Sequence, residues 1–144
     1  MRKKSSKIII GRLEKIFLPE LSQNSLDAKI DTGAYTSSLH CHNIELFDKD
    51  GMQWVRFNVL DPQHPEYEEK PFESPVYKIK KVRSSNGLVE ERVVIKQRAH
   101  FTGKKRMIQL SLANRSEMKF PVLIGRRFLT GRFIVDVSKK YLYK

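Results

Sequence analysis

The chain has 144 residues, with 28 Lys and Arg against 16 Asp and Glu and a formal net charge of +12. Hydrophobic residues make up 40% and aromatic residues 10%, which excludes an intrinsically disordered chain and suffices for the core of one domain. A single cysteine, Cys41, excludes an internal disulfide framework and fits a reducing cytosol.

Residues 1–7 form a basic tail, and residues 8–144 read as one domain. Only Ile8-Ile9-Ile10 separates that tail from Gly11-Arg12, too short an apolar run for export or a membrane span. A soluble, cytoplasmic protein with no membrane contact is therefore expected.

The pattern along the chain is strand-like, with little sustained helical period. Residues 8–17 predict a strand broken near Gly11. Residues 19–25 are a turn-rich connection, and residues 26–30 predict the strand that runs into Asp31. Residues 38–47 predict another strand, closed by the turn Asp48-Lys49-Asp50-Gly51. Residues 54–60 alternate, with Val55, Phe57 and Val59 on one face. Residues 61–75 carry Pro62, Pro65, Pro71 and Pro75 and read as an exposed irregular loop. Residues 76–82 and 88–98 predict two strands around Ser84-Ser85-Asn86-Gly87, where Asn-Gly signals a hairpin. Ile108, Leu110 and Leu112 alternate on a further strand. Residues 120–124 are a continuous apolar run, residues 126–130 allow one helical turn, and residues 133–137 return as a strand. There is no internal repeat. The spacing predicts an all-β, barrel-like domain of about 7 to 9 strands.

Much of the positive charge falls in blocks: Lys78, Lys80, Lys81 and Arg83; Lys96 and Arg98; Lys104, Lys105 and Arg106; Arg126 and Arg127. Such a surface concentrates an anionic partner, either an acidic peptide or a nucleic acid, and charge alone does not choose between them.

The most pointed motif is Ala28-Lys29-Ile30-Asp31-Thr32-Gly33-Ala34. It places a carboxylate at the mouth of an apolar strand. Thr32 can lock the loop by hydrogen bonding, and Gly33 lets the backbone pass beside the carboxyl. On its own, a strand-end Asp is as readily a turn cap. The second element is Phe120-Pro121-Val122-Leu123-Ile124-Gly125-Arg126-Arg127-Phe128-Leu129, an apolar strand, a glycine and a helical turn. In an aspartic protease lobe such a strand passes beside the catalytic loop and braces it, with the glycine permitting close approach.

In this order the two elements resemble the retropepsin-like aspartic proteases. They are closer still to a bacterial and archaeal branch that includes the RimB-like proteins and also carries an ATP-dependent zinc protease label. The residues that carry the closer likeness are Ala28 through His40, the Arg83-Ser84-Ser85-Asn86-Gly87 turn, and Leu123 through Leu129 running to Val135-Asp136. The resemblance implies a single-lobe acid-protease barrel with at most a short C-terminal helical turn. It implies catalysis by Asp31 with Thr32 and Gly33. Substrate would then be bound by Ala34, by the flap-like hairpin at Arg83, Ser84, Asn86 and Gly87, and by Arg92 on its arm. RimB-like relatives are encoded beside ATP-grasp ligases that append glutamates, so the resemblance also implies a glutamate-rich or glutamate-tailed substrate and a functional link to such a ligase.

The residues themselves support neither zinc nor ATP. The sequence contains no His-Glu-x-x-His and no Gly-x-x-x-x-Gly-Lys-Ser/Thr. In a strand, His40 and His42 share one face and Cys41 points to the other, so His40-Cys41-His42 lacks the further ligands zinc demands. No metal and no other cofactor is expected. Tyr35-Thr36-Ser37-Ser38 adds four hydroxyls that either hold the loop, bind substrate or are ordinary strand polarity. Asp136 reads as a structural strand residue.

Peptide hydrolysis by this chemistry uses two carboxylates sharing a proton. The chain offers one Asp-Thr-Gly and no Asp-Ser-Gly, which predicts a homodimer with two Asp31 at the two-fold axis and Thr32 bonding across it. The competing reading is a non-catalytic basic β-barrel module that binds nucleic acid or ribosomes, drawing on the charge and on Trp54, Tyr67, Tyr77 and Tyr141. A degenerate protease fold retained as a ligase partner is a third, against which the intact Asp31-Thr32-Gly33 argues.

Overall fold

The computed structural model describes residues 6–83, 86–114 and 120–143. Among these are eleven strands and one helical turn, in place of the 7 to 9 strands expected from spacing. The difference arises because the broken first segment forms two strands and the proline-rich segment contributes one.

Strand β1 (Ile8–Ile10) pairs in parallel with β11 (Phe133–Val135). The other strands form one nine-stranded sheet. Its members are β2 (Leu13–Ile16), β3 (Leu26–Ile30), β4 (Ser37–Lys49), β5 (Met52–Val59), β6 (Pro71–Pro75), β7 (Lys78–Arg83), β8 (Val89–Phe101), β9 (Lys104–Ala113) and β10 (Val122–Ile124). Its path runs β2-β3-β10-β4-β9-β8-β7, with β5 beside β4 and β6 beside β5.

The position of β10 is the feature that builds the site. It lies between β3 and β4, which are consecutive in sequence. It runs parallel to β3, with Val122 opposite Ala28 and Ile124 opposite Ile30, and antiparallel to β4, with Val122 opposite Leu39. Ile30 and Ile124 thus end at one level, and the residues that follow them, Asp31 and Gly125, emerge side by side. β10 is short and apolar on both sides, as expected of a strand covered on both faces. The helical turn α1 (Arg126–Leu129) follows directly.

One apolar cluster holds these strands together. Ile10, Ile16, Ala28, Leu39, Ile95, Leu110, Val122 and Ile124 are fully buried in it. Phe101, Phe128 and Phe133 close it beneath α1. Phe101 meets the other two edge-on at 5.6 and 5.3 Å, and Phe128 stacks on Phe133 at 5.9 Å, arrangements that aromatic quadrupoles favour. This anchors α1 by its buried face and leaves Arg126 and Arg127 outside.

Three expectations need correction. The proline-rich segment is not wholly irregular, because β6 pairs with β5 and buries Ser74. Pro71 and Pro75 stand at the two ends of this edge strand, where a missing N–H costs no ladder bond. The strand expected at residues 38–47 extends to Lys49, because Asp50 and Gly51 alone make the turn, both at positive φ. Asp136 lies one residue beyond β11, where its carboxylate accepts from the Ser138 N–H (3.0 Å) and Oγ (2.6 Å). Those bonds hold the Asp136 carboxyl below its ordinary range.

The C-terminal segment is pinned by a buried carboxylate. Glu14 accepts from the Gly11 N–H at 2.8 Å and from the Leu142 and Tyr143 N–H groups at 3.2 Å. Backbone donors thereby satisfy a charge that burial would otherwise penalise. Among the described residues no helix is long and apolar enough to cross a membrane.

Candidate active site

Asp31 leaves β3 with its N–H donated to the carbonyl of Ile124 at 2.8 Å. Its Oδ1 accepts the Gly33 N–H at 3.0 Å, and its carbonyl accepts the Ala34 N–H at 3.3 Å. The loop therefore curls round its own carboxylate. A Cβ on Gly33 would stand 3.3 Å from Asp31 Oδ1, so glycine leaves that carboxyl uncrowded. The Asp31 side chain is partly exposed, and Thr32 and Gly33 are exposed.

The start of α1 fastens onto the same loop. A Cβ on Gly125 would lie 2.7 Å from the Tyr35 oxygen and 2.9 Å from the Ala34 oxygen, which only glycine tolerates without moving backbone. The Gly125 N–H donates to Ser37 Oγ at 3.0 Å. The next two N–H groups, of Arg126 and Arg127, donate to the carbonyls of Ala34 (2.8 Å) and Tyr35 (2.9 Å). The Arg126 guanidinium reaches the Thr32 carbonyl at 3.0 Å. The loop that carries Asp31 is thus bonded at Asp31, Thr32, Ala34, Tyr35 and Ser37 to one short segment, residues 124–127. The hydroxyls after the loop divide their work: Ser37 holds Gly125, and Thr36 accepts from Lys80 Nζ at 2.7 Å.

The expected site residues fall on two elements. Asp31, Thr32, Gly33 and Ala34 form one loop. Arg83, Asn86 and Gly87 belong to the far end of the β7–β8 hairpin, with Gly87 at φ +86°, and Ser84 lies outside the described residues. It is Lys80, in the arm of that hairpin, that the structure bonds to the segment after Asp31. Arg92 sits opposite Lys80 and has Nη2 3.5 Å from Glu90. In the sequence Arg126 and Arg127 stand out only as a charge block, and Tyr35 only as one of four hydroxyls. Their convergence becomes visible only once β10 is seen between β3 and β4.

The His40-Cys41-His42 cluster is occupied with other work. His40 is buried, with Nε2 2.5 Å from Asp61 Oδ2 and Nδ1 3.3 Å from the Ala113 carbonyl. The His40 hydrogen bond, with that of the Gln63 N–H, holds the Asp61 carboxyl below its ordinary range. His42 faces the Leu60 carbonyl at 2.9 Å and packs on Tyr67. Burial pushes the Cys41 thiol up to about 12, so it is no thiolate nucleophile. Among the described residues no three His, Cys, Asp or Glu side chains gather as a metal centre requires.

A profile of the family described as RimB-like, retropepsin-like aspartic endopeptidase RimB, matches residues 9–144. Two curated proteins named probable alpha-L-glutamate ligase are similar to the chain. The one from Parasynechococcus marenigrum (strain WH8102) is 38% identical over 90% of the chain, and the one from Shewanella halifaxensis (strain HAW-EB4) is 34% identical over 94%. The chain spans only 28% and 30% of the length of these two proteins. A crystal structure of a Legionella pneumophila protein of unknown function matches with a TM-score of 0.77 and 31% identity, over 96% of this chain and 100% of that one.

Proposed function

This chain belongs to the RimB-like family of retropepsin-like aspartic endopeptidases, and from that premise we propose that it hydrolyses peptide bonds in acidic, glutamate-rich chains through Asp31 of two copies. The observation that carries the reading is the join of Asp31 to residues 124–127. It fixes one carboxylate at a strand mouth and leaves it partly exposed. A homodimer brings the second, because the chain supplies a single Asp-Thr-Gly.

In such a pair one carboxylate is ionised and the other protonated, since two adjacent charges repel. The ionised group takes a proton from a bridging water as its oxygen attacks the scissile carbonyl carbon. The protonated group donates a hydrogen bond to the carbonyl oxygen as charge develops there. Collapse of the tetrahedral intermediate passes a proton to the departing amine. No step calls for a metal or nucleotide.

The acidic substrate class is supported by the cations around the loop, which pair with no carboxylate among the described residues, and by the relatives' names. A ligase that appends glutamate forms the same kind of bond that this peptidase would break. The ligase name itself belongs to proteins more than three times the length of the matched segment, so it bears on a glutamate-tailed substrate and a functional link rather than on ligation by this chain. Asp31→Asn tests the reading: cleavage of a glutamate-rich peptide disappears while fold and dimerisation persist, and chelation leaves the wild type active. Retained cleavage by Asp31→Asn overturns it.

One observation favours the non-catalytic alternative. On the β4–β5 hairpin Phe47 and Trp54 lie 6.5 Å apart, with Lys49 Nζ 4.4 Å over Trp54 and the Arg56 guanidinium 5.3 Å over Phe47. Aromatic rings beside cations suit stacking on single-stranded nucleic acid. Steeply salt-dependent RNA affinity with no peptidase activity would support that role.

A further inference from the structure

Beside the Asp31 loop lies a groove of about 530 Å³ between the start of α1 and the outer side of β9. Tyr35, Gln109, Arg127 and Arg132 line it. Resting on the peptidase reading above, we propose that Arg127 is a specificity-determining residue that receives a substrate carboxylate in this groove, held ready for it by Tyr35 and Gln109.

The hydrogen-bond inventory of Arg127 sets it apart. A guanidinium carries five N–H donors. Arg127 Nη1 donates to the Tyr35 hydroxyl at 3.2 Å. With the Gln109 amide oriented so that its oxygen faces the guanidinium, that oxygen accepts from Nε and Nη2 at 3.2 Å each. Three donors are thereby engaged by neutral partners, and one remains on each terminal nitrogen. Two N–H groups of a planar guanidinium are thus left for a carboxylate, the acceptor that a guanidinium fork grips best.

The charge of Arg127 is also unanswered. Arg56 pairs with Glu73 at 2.7 Å, Arg92 with Glu90 at 3.5 Å and Arg98 with Glu20 at 3.7 Å. Among the described residues no carboxylate pairs with Arg126, Arg127, Arg132 or Lys80. Instead Lys80, Arg126 and Arg127 stand 5.9, 5.9 and 6.0 Å from the Tyr35 ring. Like charges gathered in this way repel, and an incoming anion relieves the repulsion. Tyr35, half exposed, gives the arriving chain an apolar ring surface between the cations. The groove begins at Tyr35, on the segment that Asp31 opens and that residues 124–127 bond.

The test uses the full chain in two forms. In Asp31→Asn protein, where binding is read without turnover, affinities are compared for an oligoglutamate peptide and an oligoglutamine peptide of equal length. The expected result is a preference for glutamate that Arg127→Gln reduces roughly tenfold to a hundredfold, the worth of a hydrogen bond to a charged group. Arg127→Lys restores part of it, because the charge returns without the fork. Arg56→Gln removes the same charge elsewhere and keeps the preference. Equal affinity for the two peptides, or a preference that survives Arg127→Gln, overturns the assignment. Cleavage assays that compare protein with Asp31 intact against Asp31→Asn report separately: cleavage that survives Asp31→Asn, or none with Asp31 intact, sinks the peptidase reading, whatever the binding data show about Arg127. Each variant's melting temperature is measured alongside, and Arg127→Lys carries the test if Arg127→Gln fails to fold.

Discussion

Asp31 and Asp61 both lie just beyond a strand, and they have opposite fates. Asp61 is bonded through Oδ2 to the buried His40 ring and through Oδ1 to the Gln63 N–H. Both its oxygens are spent on its own fold. Asp31 spends one oxygen on the Gly33 N–H and is partly exposed, while the Arg126 and Arg127 guanidinium groups bond to the Thr32 carbonyl and the Tyr35 hydroxyl. A carboxylate satisfied on both sides holds structure together. One fixed by its backbone, with side-chain capacity to spare, is available for chemistry.

That contrast is most strongly tested by exchanging the same atom at each place. Asp31→Asn is expected to lower peptide cleavage on the order of 10⁴-fold, as loss of a reacting group does, with the melting temperature nearly unchanged. Asp61→Asn is expected to do the reverse. It preserves activity in the folded protein and costs about 1–3 kcal/mol of stability, measured by denaturant unfolding, because the buried His40 loses its charged partner. If both variants lost activity alike, the two carboxylates would not be distinct in kind.

Gly125→Ala tests whether the brace matters for the Asp31 loop. Its Cβ would meet the Tyr35 and Ala34 oxygens at 2.7 and 2.9 Å, and these belong to backbone. Stability should fall by about 1–3 kcal/mol, the usual cost of overpacking, and kcat should fall further than that loss explains. A variant with full activity would show that the loop keeps its shape without the close approach.

The smallest effect expected is in the acid limb of stability. Since His40 holds the folded Asp61 carboxyl below its ordinary range, the stabilisation is complete above the unfolded value of about 3.9. It is lost as pH falls below that value and through the folded one. Unfolding free energies measured between pH 5 and pH 3 should therefore fall more steeply for the wild type than for Asp61→Asn. Parallel curves would remove Asp61 from the account.

The strand that delivers Asp31 was legible to the residue, because Leu26, Ala28 and Ile30 alternate inward and little else in that segment can be buried. Gly125 was legible as a point of close approach because it interrupts an apolar run just before a helical turn. The proline-rich strand β6 was hidden by composition, since prolines signal loops unless they fall at the ends of an edge strand. The destinations of Arg126 and Arg127 were hidden for a different reason. A charge block says that cations are near one another, whereas the turn of α1 sends one guanidinium to Thr32 and the other towards Tyr35 and Gln109. His40 and Asp61 stand 21 residues apart in sequence, and no periodicity joins a strand to the loop that returns beside it.

The proposed dyad requires two Asp31 carboxyls to act as one unit across a two-fold axis. A crystal structure of the dimer measures this directly through the distance between them. The account predicts carboxyl oxygens at hydrogen-bonding separation, roughly 2.5–3.0 Å, with the two loops each braced by Gly125. Two Asp31 side chains lying apart in the dimer, or a monomer that cleaves peptides at full rate, would contradict it.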